Sequence, residues 1–331
     1  MQEFKSFSER ILNLKKEQFE SLALELFYFQ AKTNLLYKKY LEARRVRVET
    51  IKSLDQIPFL PIRFFKDHVV VCGNENNFER FYSSSGTTGM ITSKHYIWSE
   101  DWYLRHAQQI FESIYGSLKD FHVLALLPAY LERPGSSLVA MAQHFIKVTG
   151  SVHSGFYLYN QDELLQKVNE LRSDSKKILL LGVTFALLDL AESNKPFESS
   201  DNLIVMETGG MKGRRKEMIR EEVHEVLKKY FSVASIHSEY GMTEMMSQAY
   251  SIGNGKYTLP VSVSVMLRDI NDPWSWATRS QGGINIIDLG NFHSCAFLET
   301  QDLGRFDVDG NLEVLGRIDN SEIRGCNLLV Q

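Results

Sequence analysis

The sequence predicts an α/β fold in which helices cover mixed β-sheets, followed by a small β-rich subdomain toward the C-terminus. Between about His122 and Ser238, apolar strand-like runs alternate with amphipathic helix-like segments, a pattern typical of parallel or mixed sheets flanked by helices. After about Gly255, short β-branched runs separated by Gly, Asn or Asp predict strands alone. From about Ser8 to Arg45, apolar residues recur at helical spacing and predict long helices packed on the outside of the core.

The predicted elements follow one another without repeats or flexible linkers. Pro58 and Pro61 end the N-terminal helical region. The predicted strands and their following helices are 122–127 with a helix from about 135, 177–183 with a helix through 190, 203–207 with a helix from about 214 to 230, and a last strand at 234–238. The predicted strands of the β-rich region are 261–267, 283–288, 295–300 and 312–315. We therefore divide the chain into an α/β core at 1–255, a β-rich subdomain at 256–317 and a tail at 318–331.

Composition restricts the class of protein. The chain has 331 residues, and 44% hydrophobic residues are enough for a substantial core. A net charge of −4 argues against a nucleic-acid-binding surface, which requires clustered basic residues. The basic run at 212–216 is followed at once by Glu217 and is typical of a solvated helix start. Three scattered cysteines predict a reducing, cytoplasmic location, and no apolar run is long enough to predict a membrane span.

A hydroxyl-rich and glycine-rich loop is the most informative segment, and it consists of Ser83, Ser84, Ser85, Gly86, Thr87, Thr88 and Gly89. Glycines let the backbone turn its N–H groups toward an anion, and hydroxyl groups donate further hydrogen bonds. The loop lacks the Gly-Lys-Ser/Thr ending of a Walker A motif, because Met90 follows Gly89. It predicts a phosphate-binding loop, with an ordinary polar turn as the alternative.

Further signals follow in a fixed order, at 237–244, 300–304, 316–319 and 323–325. Together with the loop they resemble the motifs of the adenylate-forming superfamily, which includes acyl-CoA synthetases, peptide-synthetase adenylation domains and luciferases. The segments 57–61 with Phe65-Lys66, 93–96, 128–137 and 324–326 resemble more closely the acyl-protein synthetase (LuxE-type) branch of that superfamily. The resemblance implies the N-terminal domain of an adenylate-forming enzyme, without the mobile C-terminal domain that usually follows.

The resemblance also implies ATP and Mg²⁺ as cofactors and assigns roles to particular residues. The loop Ser83–Gly89 would hold the β- and γ-phosphates, Thr243 would contact a phosphate oxygen, and Glu244 would help to hold Mg²⁺. Tyr240 would stack on adenine, and the glycine pair Gly209 and Gly210 would pass beside adenine and the acyl carboxylate. The alternative for Glu244, and for the neighbouring Glu239, is an exposed carboxylate at a helix start.

Asp302 would accept hydrogen bonds from both ribose hydroxyls, a role that suits a bidentate carboxylate. Arg317 would then reach ribose or phosphate, unless it is an ordinary surface charge. His237 could approach the acyl carboxylate or serve only a structural purpose. The lysine that usually follows the phosphate loop is missing from its normal place, and Lys94 is the nearest replacement, with Lys212 as another.

Cys326 resembles the cysteine to which acyl-protein synthetases transfer the activated acyl group, and the neighbouring Arg324 would favour its thiolate. We therefore expect ATP-dependent activation of a carboxylic acid, with a fatty acid expected first, as acyl-AMP, followed by a thioester on Cys326. The partner implied by the family is an acyl-CoA reductase. Two alternatives stay open: transfer to coenzyme A or a carrier-protein thiol, and a nucleotide-binding subunit that has lost catalysis.

Overall fold

The structure is a computed structural model, and it describes residues 2–84, 92–127, 135–157, 160–193, 196–198, 200–209, 218–272, 275–278 and 280–318. The helices in these ranges are α1 Gln2–Leu12, α2 Phe19–Thr33, α3 Leu35–Ala43, α4 Phe64–Asp67, α5 Glu100–Tyr115, α6 Ser137–Thr149, α7 Gln161–Leu171, α8 Thr184–Ser193 and α9 Arg220–Phe231. The strands are β1 Leu60–Pro61, β2 Arg80–Ser83, β3 Lys94–Ile97, β4 Phe121–Leu126, β5 Gly155–Phe156, β6 Lys177–Val183, β7 Leu203–Thr208, β8 His237–Tyr240, β9 Ala249–Ser251, β10 Lys256–Thr258, β11 Val263–Arg268, β12 Gln281–Asp288, β13 Phe297–Phe306 and β14 Leu312–Arg317.

One mixed sheet organises the described residues. Twelve strands belong to it, in the order β11-β12-β13-β14-β10-β9-β8-β7-β6-β4-β5, with β1 added beside β13. In this spatial order, neighbouring strands from β8 to β5 pair in parallel. Neighbouring strands from β11 to β8 pair antiparallel. The predicted α/β class with a mixed sheet is therefore confirmed.

The parallel half is buried on both faces. Strands β4 and β6 are apolar apart from His122 and Lys177, and all six residues of β4 are buried. Helix α6 packs against β4, and α8 packs against β6, β7 and α9. Strands that are covered by helices on both faces lose the apolar–polar alternation and read as uninterrupted hydrophobic runs. This arrangement leaves the carboxyl ends of β6, β7 and β8 together at one edge, where ligands bind in open α/β sheets.

The N-terminal helices are fixed to the sheet by an aromatic cluster. Phe4 of α1 packs against Phe29 of α2, Trp98 and Phe292, with ring centroids 5.8–6.2 Å apart. The side chain of Gln30 donates to the Asn291 and Phe292 carbonyls from within this buried layer. Such rings contribute large buried areas, so the helices predicted from periodicity are integral to the core.

Several predicted boundaries were wrong. The strand expected at 234–238 runs instead from His237 to Tyr240. The short strands β9 and β10 were not predicted, because three-residue strands are too short to give a period-2 signal. The antiparallel strands predicted after 255 are present, but they continue the same sheet through β8, β9, β10 and β14. The division at residue 255 stays a prediction.

Candidate active site

The segment that carries the hydroxyl-rich loop is a β-hairpin separate from the main sheet. Strands β2 and β3 pair antiparallel, with Ser83 directly opposite Lys94. Beyond that pair the Ser84 N–H donates to the Ser93 carbonyl at 3.1 Å. The Ser93 N–H donates back to Ser84 Oγ at 2.9 Å. The hairpin is thus closed at the mouth of the loop, whereas Ser85, Gly86, Thr87, Thr88 and Gly89 lie outside the described residues.

His95 joins this hairpin to a motif 148 residues further along the chain. Its Nδ1 lies 2.8 Å from the Thr243 carbonyl oxygen, and its Nε2 lies 2.8 Å from Ser294 Oγ. Burial lowers the pKa of His95 to about 4, so the ring is neutral at pH 7. Because a carbonyl can only accept, Nδ1 carries the proton and Nε2 accepts from the Ser294 hydroxyl. His95 therefore fixes the strand after the loop against Thr243.

The turn that contains Thr243 and Glu244 is held by a buried carboxylate, Asp288. It accepts from the Met246 and Ser247 N–H groups at 2.8 and 3.0 Å and from Ser247 Oγ at 2.7 Å. Asn291 Nδ2 adds a donor to the Glu244 carbonyl oxygen at 2.7 Å. These bonds satisfy a fully buried charge and fix a segment that has no helix or strand of its own.

Glu244 is 7% exposed, and Glu239 is 8% exposed. Neither begins a helix, so the alternative of two exposed carboxylates at a helix start was wrong. Burial raises the pKa of Glu244, while a hydrogen bond from Ser93 and the charges of Arg317 and Lys66 act in the opposite direction. A buried carboxylate without a close ion pair among the described residues is suited to bind a cation.

Tyr240, the last residue of β8 before this turn, contacts Asp302 of β13. The Tyr240 hydroxyl donates to Asp302 Oδ2 at 2.8 Å, and Arg317 Nε lies 3.9 Å from Asp302 Oδ1. Strands β13 and β14 pair Asp302 directly with Arg317. Burial raises the pKa of Asp302, and the Tyr240 hydroxyl and the arginine charges lower it. The Arg317 side chain is 86% exposed and available to a ligand above the carboxylate.

The carboxyl end of β7 adds polar groups that the sequence did not single out. The Thr208 hydroxyl donates to the Glu239 carboxylate on β8. Thr184 donates to Glu207 Oε2 at 2.7 Å, and Arg220 Nε lies 3.7 Å from Glu207 Oε1. Burial alone would raise the pKa of Glu207, but hydrogen bonds and the Arg220 charge lower it overall. Gly209 follows with φ of 77°, a conformation that favours glycine, and Gly210 lies outside the described residues.

The structure does not bring every predicted residue together. His237 starts β8, about 10 Å along the strand from Tyr240. Its Nδ1 lies 3.1 Å from the Tyr115 hydroxyl, and burial lowers its pKa to about 4. Lys94 lies at the mouth of the loop with Nζ 5.3 Å from the Phe81 ring centroid. Lys212 lies outside the described residues.

Two of the three cysteines lie in the described residues, and both are buried. Cys72 and Cys295 are 3% and 0% exposed. Burial raises the pKa of Cys72 to about 12 and raises that of Cys295 as well. The thiolate is the reactive form, so neither is suited to act as a nucleophile. Cys326 lies outside the described residues.

Comparisons with solved structures match this geometry to one fold. A 2-hydroxyisobutyryl-CoA ligase, solved with its acyl-adenylate and coenzyme A, has a TM-score of 0.66 at 15% identity, covering 95% of this chain and 68% of that one. ATP-bound MatB from Rhodopseudomonas palustris has a TM-score of 0.53 at 17% identity, covering 75% and 49%. This chain therefore spans about half the length of MatB. The fold is that of the adenylate-forming ligases.

Sequence comparison shows which kind of ligase the chain resembles. A long-chain-fatty-acid–luciferin-component ligase from Aliivibrio fischeri is 19% identical over 311 residues, 88% of this chain and 79% of that protein. Its namesake from Photorhabdus luminescens is 34% identical over 71 residues, 22% of this chain and 60% of that sequence. No protein-family model matches the chain. The chain is thus similar in sequence to LuxE-type fatty-acid ligases, and its fold is that of the adenylate-forming ligases.

Two features are missing from the residues that the structure describes. Among the helices described, none combines the length and the apolar character that a bilayer crossing requires. Within the same residues, no group of three or more His, Cys, Asp or Glu side chains is arranged to hold a metal ion. A metal ion at Glu244 would thus need ligands from elsewhere, such as phosphate oxygens.

Proposed function

We propose that this protein activates a carboxylic acid with ATP, forming an acyl-adenylate and pyrophosphate. A carboxylate oxygen of the acid attacks the α-phosphorus as the bond from that phosphorus to the pyrophosphate oxygen breaks. The observation that carries the proposal is the convergence, through His95, of the loop-bearing hairpin with Thr243 and Glu244, next to the Tyr240–Asp302 pair. Phosphate, metal and ribose recognition would thereby meet in one place.

A long-chain fatty acid is the first substrate to test, because both curated relatives carry that substrate in their names. In the proposed complex the loop Ser83–Gly89 and Thr243 hold the phosphates, and Asp302 accepts from the ribose. Arg317, exposed above Asp302, neutralises charge on ribose-linked phosphate. Positioning and charge neutralisation are the principal needs of phosphoryl chemistry, so this division of roles is sufficient for adenylation.

Mg²⁺ fits Glu244. The ion prefers oxygen ligands, keeps several waters and is usually bound by one or two carboxylates plus substrate phosphates. Glu244 supplies one buried carboxylate whose charge is not matched by a close ion pair among the described residues. When bound there, Mg²⁺ would neutralise phosphate charge. Glu244 would hold that ion beside the phosphates that Thr243 contacts.

The second step is proposed to be transfer to Cys326. Its thiolate attacks the acyl carbonyl, the carbon–oxygen bond to AMP breaks, and AMP leaves as the thioester forms. Of the three cysteines in the chain, Cys72 and Cys295 are buried with raised pKa values, which supports Cys326 as the acceptor. The thioester would then pass to a partner enzyme, for which an acyl-CoA reductase is the candidate.

Acid-dependent exchange between ATP and labelled pyrophosphate tests adenylation. We expect exchange with at least one member of a panel of fatty and aromatic acids, and none without acid. Asp302→Ala should abolish it, whereas Asp309→Ala, an exposed aspartate in the turn after β13, should not. ATP binding without exchange for any acid would instead indicate a nucleotide-binding subunit. Acid-dependent product that requires added coenzyme A would indicate an external thiol acceptor.

A further inference from the structure

Arg268 is a buried arginine at the end of β11 that no sequence motif identified. Only 6% of its surface is exposed, although arginine is rarely buried unless its charge and its N–H groups are satisfied. Its position in the sequence, after an apolar strand and before a polar turn, is typical of a surface charge. The reason for its burial lies in what the guanidinium contacts.

The Arg268 guanidinium joins two neighbouring strands. Nη1 donates to the Ile284 carbonyl and to Asn285 Oδ1 on β12, both at 3.0 Å. Nη2 donates to the Thr300 carbonyl on β13 at 2.6 Å, and Nε lies 4.0 Å from Glu299 Oε1. The two separate nitrogens of the planar fork thereby reach acceptors on both strands, a spacing that the single ammonium nitrogen of a lysine does not reproduce.

The backbone around Arg268 is built to receive it. The register of β12 against β13 shifts between Gly283 and Asn285, beside the guanidinium. A Cβ atom added at Gly283 would lie 2.5 Å from Arg268 Cζ, so only glycine leaves room at that position. An irregularity that admits one specific side chain is a designed feature of a sheet rather than a defect.

A short chain of hydrogen bonds leads from Arg268 to Asp302. The Ile284 carbonyl that accepts from Arg268 also accepts from Thr300 Oγ1 at 2.8 Å. Thr300 Oγ1 accepts in turn from the Asp302 N–H at 3.1 Å. Arg268 thus fixes the Thr300 carbonyl directly and shares the Ile284 carbonyl with the Thr300 hydroxyl, and Thr300 in turn fixes the backbone of Asp302. Its positive charge also acts on the Asp302 carboxylate.

We propose that Arg268 is a positioning residue that sets the orientation of Asp302 and thereby the preference of the nucleotide site for ribose over deoxyribose. The inference rests on the proposed function, in which Asp302 accepts hydrogen bonds from the ribose hydroxyls. Arg268 lies behind the carboxylate and does not itself touch the nucleotide. The ligand it serves is a ribonucleoside triphosphate, and its effect is one of sugar discrimination.

The ratio of dissociation constants for 2′-deoxy-ATP and ATP, measured by calorimetric titration, tests the proposal. A hydrogen bond to a charged acceptor predicts a wild-type ratio of about ten or more. Arg268→Lys keeps the charge but loses the fork, so the ratio should fall to about three or less. The matched control is Arg305→Lys, an exposed arginine further along β13 that pairs with Glu313 and should keep the wild-type ratio.

A role confined to stability would lower the melting temperature of Arg268→Lys and leave the ratio unchanged. Thr300→Val provides a second variant if Arg268→Lys does not fold, because it removes only the hydroxyl between Ile284 and Asp302. Asp302→Ala sets the reference, with an expected ratio near one. A wild-type ratio retained in folded Arg268→Lys or Thr300→Val would overturn this inference alone. A ratio near one in the wild type itself would overturn both it and the ribose role of Asp302.

Discussion

Replacing His95 should remove a defined part of the acid sensitivity of folding. Burial lowers the pKa of His95 from its ordinary value of 6.5 to about 4. The unfolded chain therefore binds a proton before the folded protein does, and the contribution of His95 to stability is present above pH 6.5 and lost as the pH falls toward 4. For this shift, the loss between pH 7 and pH 5 is about 2 kcal/mol.

Urea unfolding, followed by tryptophan fluorescence at pH 7 and pH 5, measures the contribution of His95 to the free energy of unfolding. His95→Gln carries no titratable group, so its free energy of unfolding should fall by about 2 kcal/mol less than that of the wild type over this interval. His106 and His237, whose pKa values are also lowered to about 4, contribute to both proteins and cancel in the comparison. His68→Gln removes an exposed histidine and serves as the matched control. Equal pH dependence in the wild type and His95→Gln would refute the buried, neutral state.

The remaining predictions concern the nucleotide. Thr87→Ala and Thr88→Ala should each slow pyrophosphate release by about one to two orders of magnitude. Each removes a hydroxyl donor to a charged phosphate, an interaction worth about 1.5–3 kcal/mol. Wild-type rates in both variants would contradict phosphate binding by the loop. Glu244→Gln should raise the Mg²⁺ concentration needed for half-maximal rate while metal-free ATP binding changes little, and an unchanged Mg²⁺ titration would contradict its role. Tyr240→Phe removes the donor to Asp302 and should weaken AMP binding about tenfold or more, as measured by calorimetry; unaltered affinity would argue against the pair.

The strands and helices of the parallel half could be predicted because the local sequence pattern of each segment agrees with its place in the fold. The predominantly apolar residues of β4 and β6 indicate buried strands, and the amphipathic segments between the strands indicate helices. Three predicted starts differ from the structure: β4 begins at Phe121 rather than at 122, α6 at Ser137 rather than at about 135, and α9 at Arg220 rather than at about 214. Capping and local hydrogen bonding set such ends. The short antiparallel strands β9 and β10 pair with each other as a local hairpin, but strands of three residues are too short to give a period-2 signal.

The candidate site was predictable as a set of motifs but not as a geometry. Sequence order does not show that His95 contacts Thr243, since that bond joins residues 148 positions apart. Sequence order also does not distinguish a buried Arg268 from a surface arginine. The burial of Arg268 depends on the register shift between β12 and β13 and on the glycine at position 283. Closeness in sequence can also mislead. His237 is three positions before Tyr240, yet the two residues stand at opposite ends of β8, about 10 Å apart.

Mapping of a labelled acid on the protein tests the central claim most directly. With ATP, Mg²⁺ and a labelled fatty acid, the protein should label itself at Cys326 through a thioester that neutral hydroxylamine removes. Cys326→Ser should lose this label but still form acyl-adenylate, and Cys72→Ser, which changes a buried thiol, should retain the label at Cys326. A label at Cys72 or Cys295, or no labelled cysteine while acyl-adenylate accumulates, would contradict self-acylation and leave an external thiol as the acceptor.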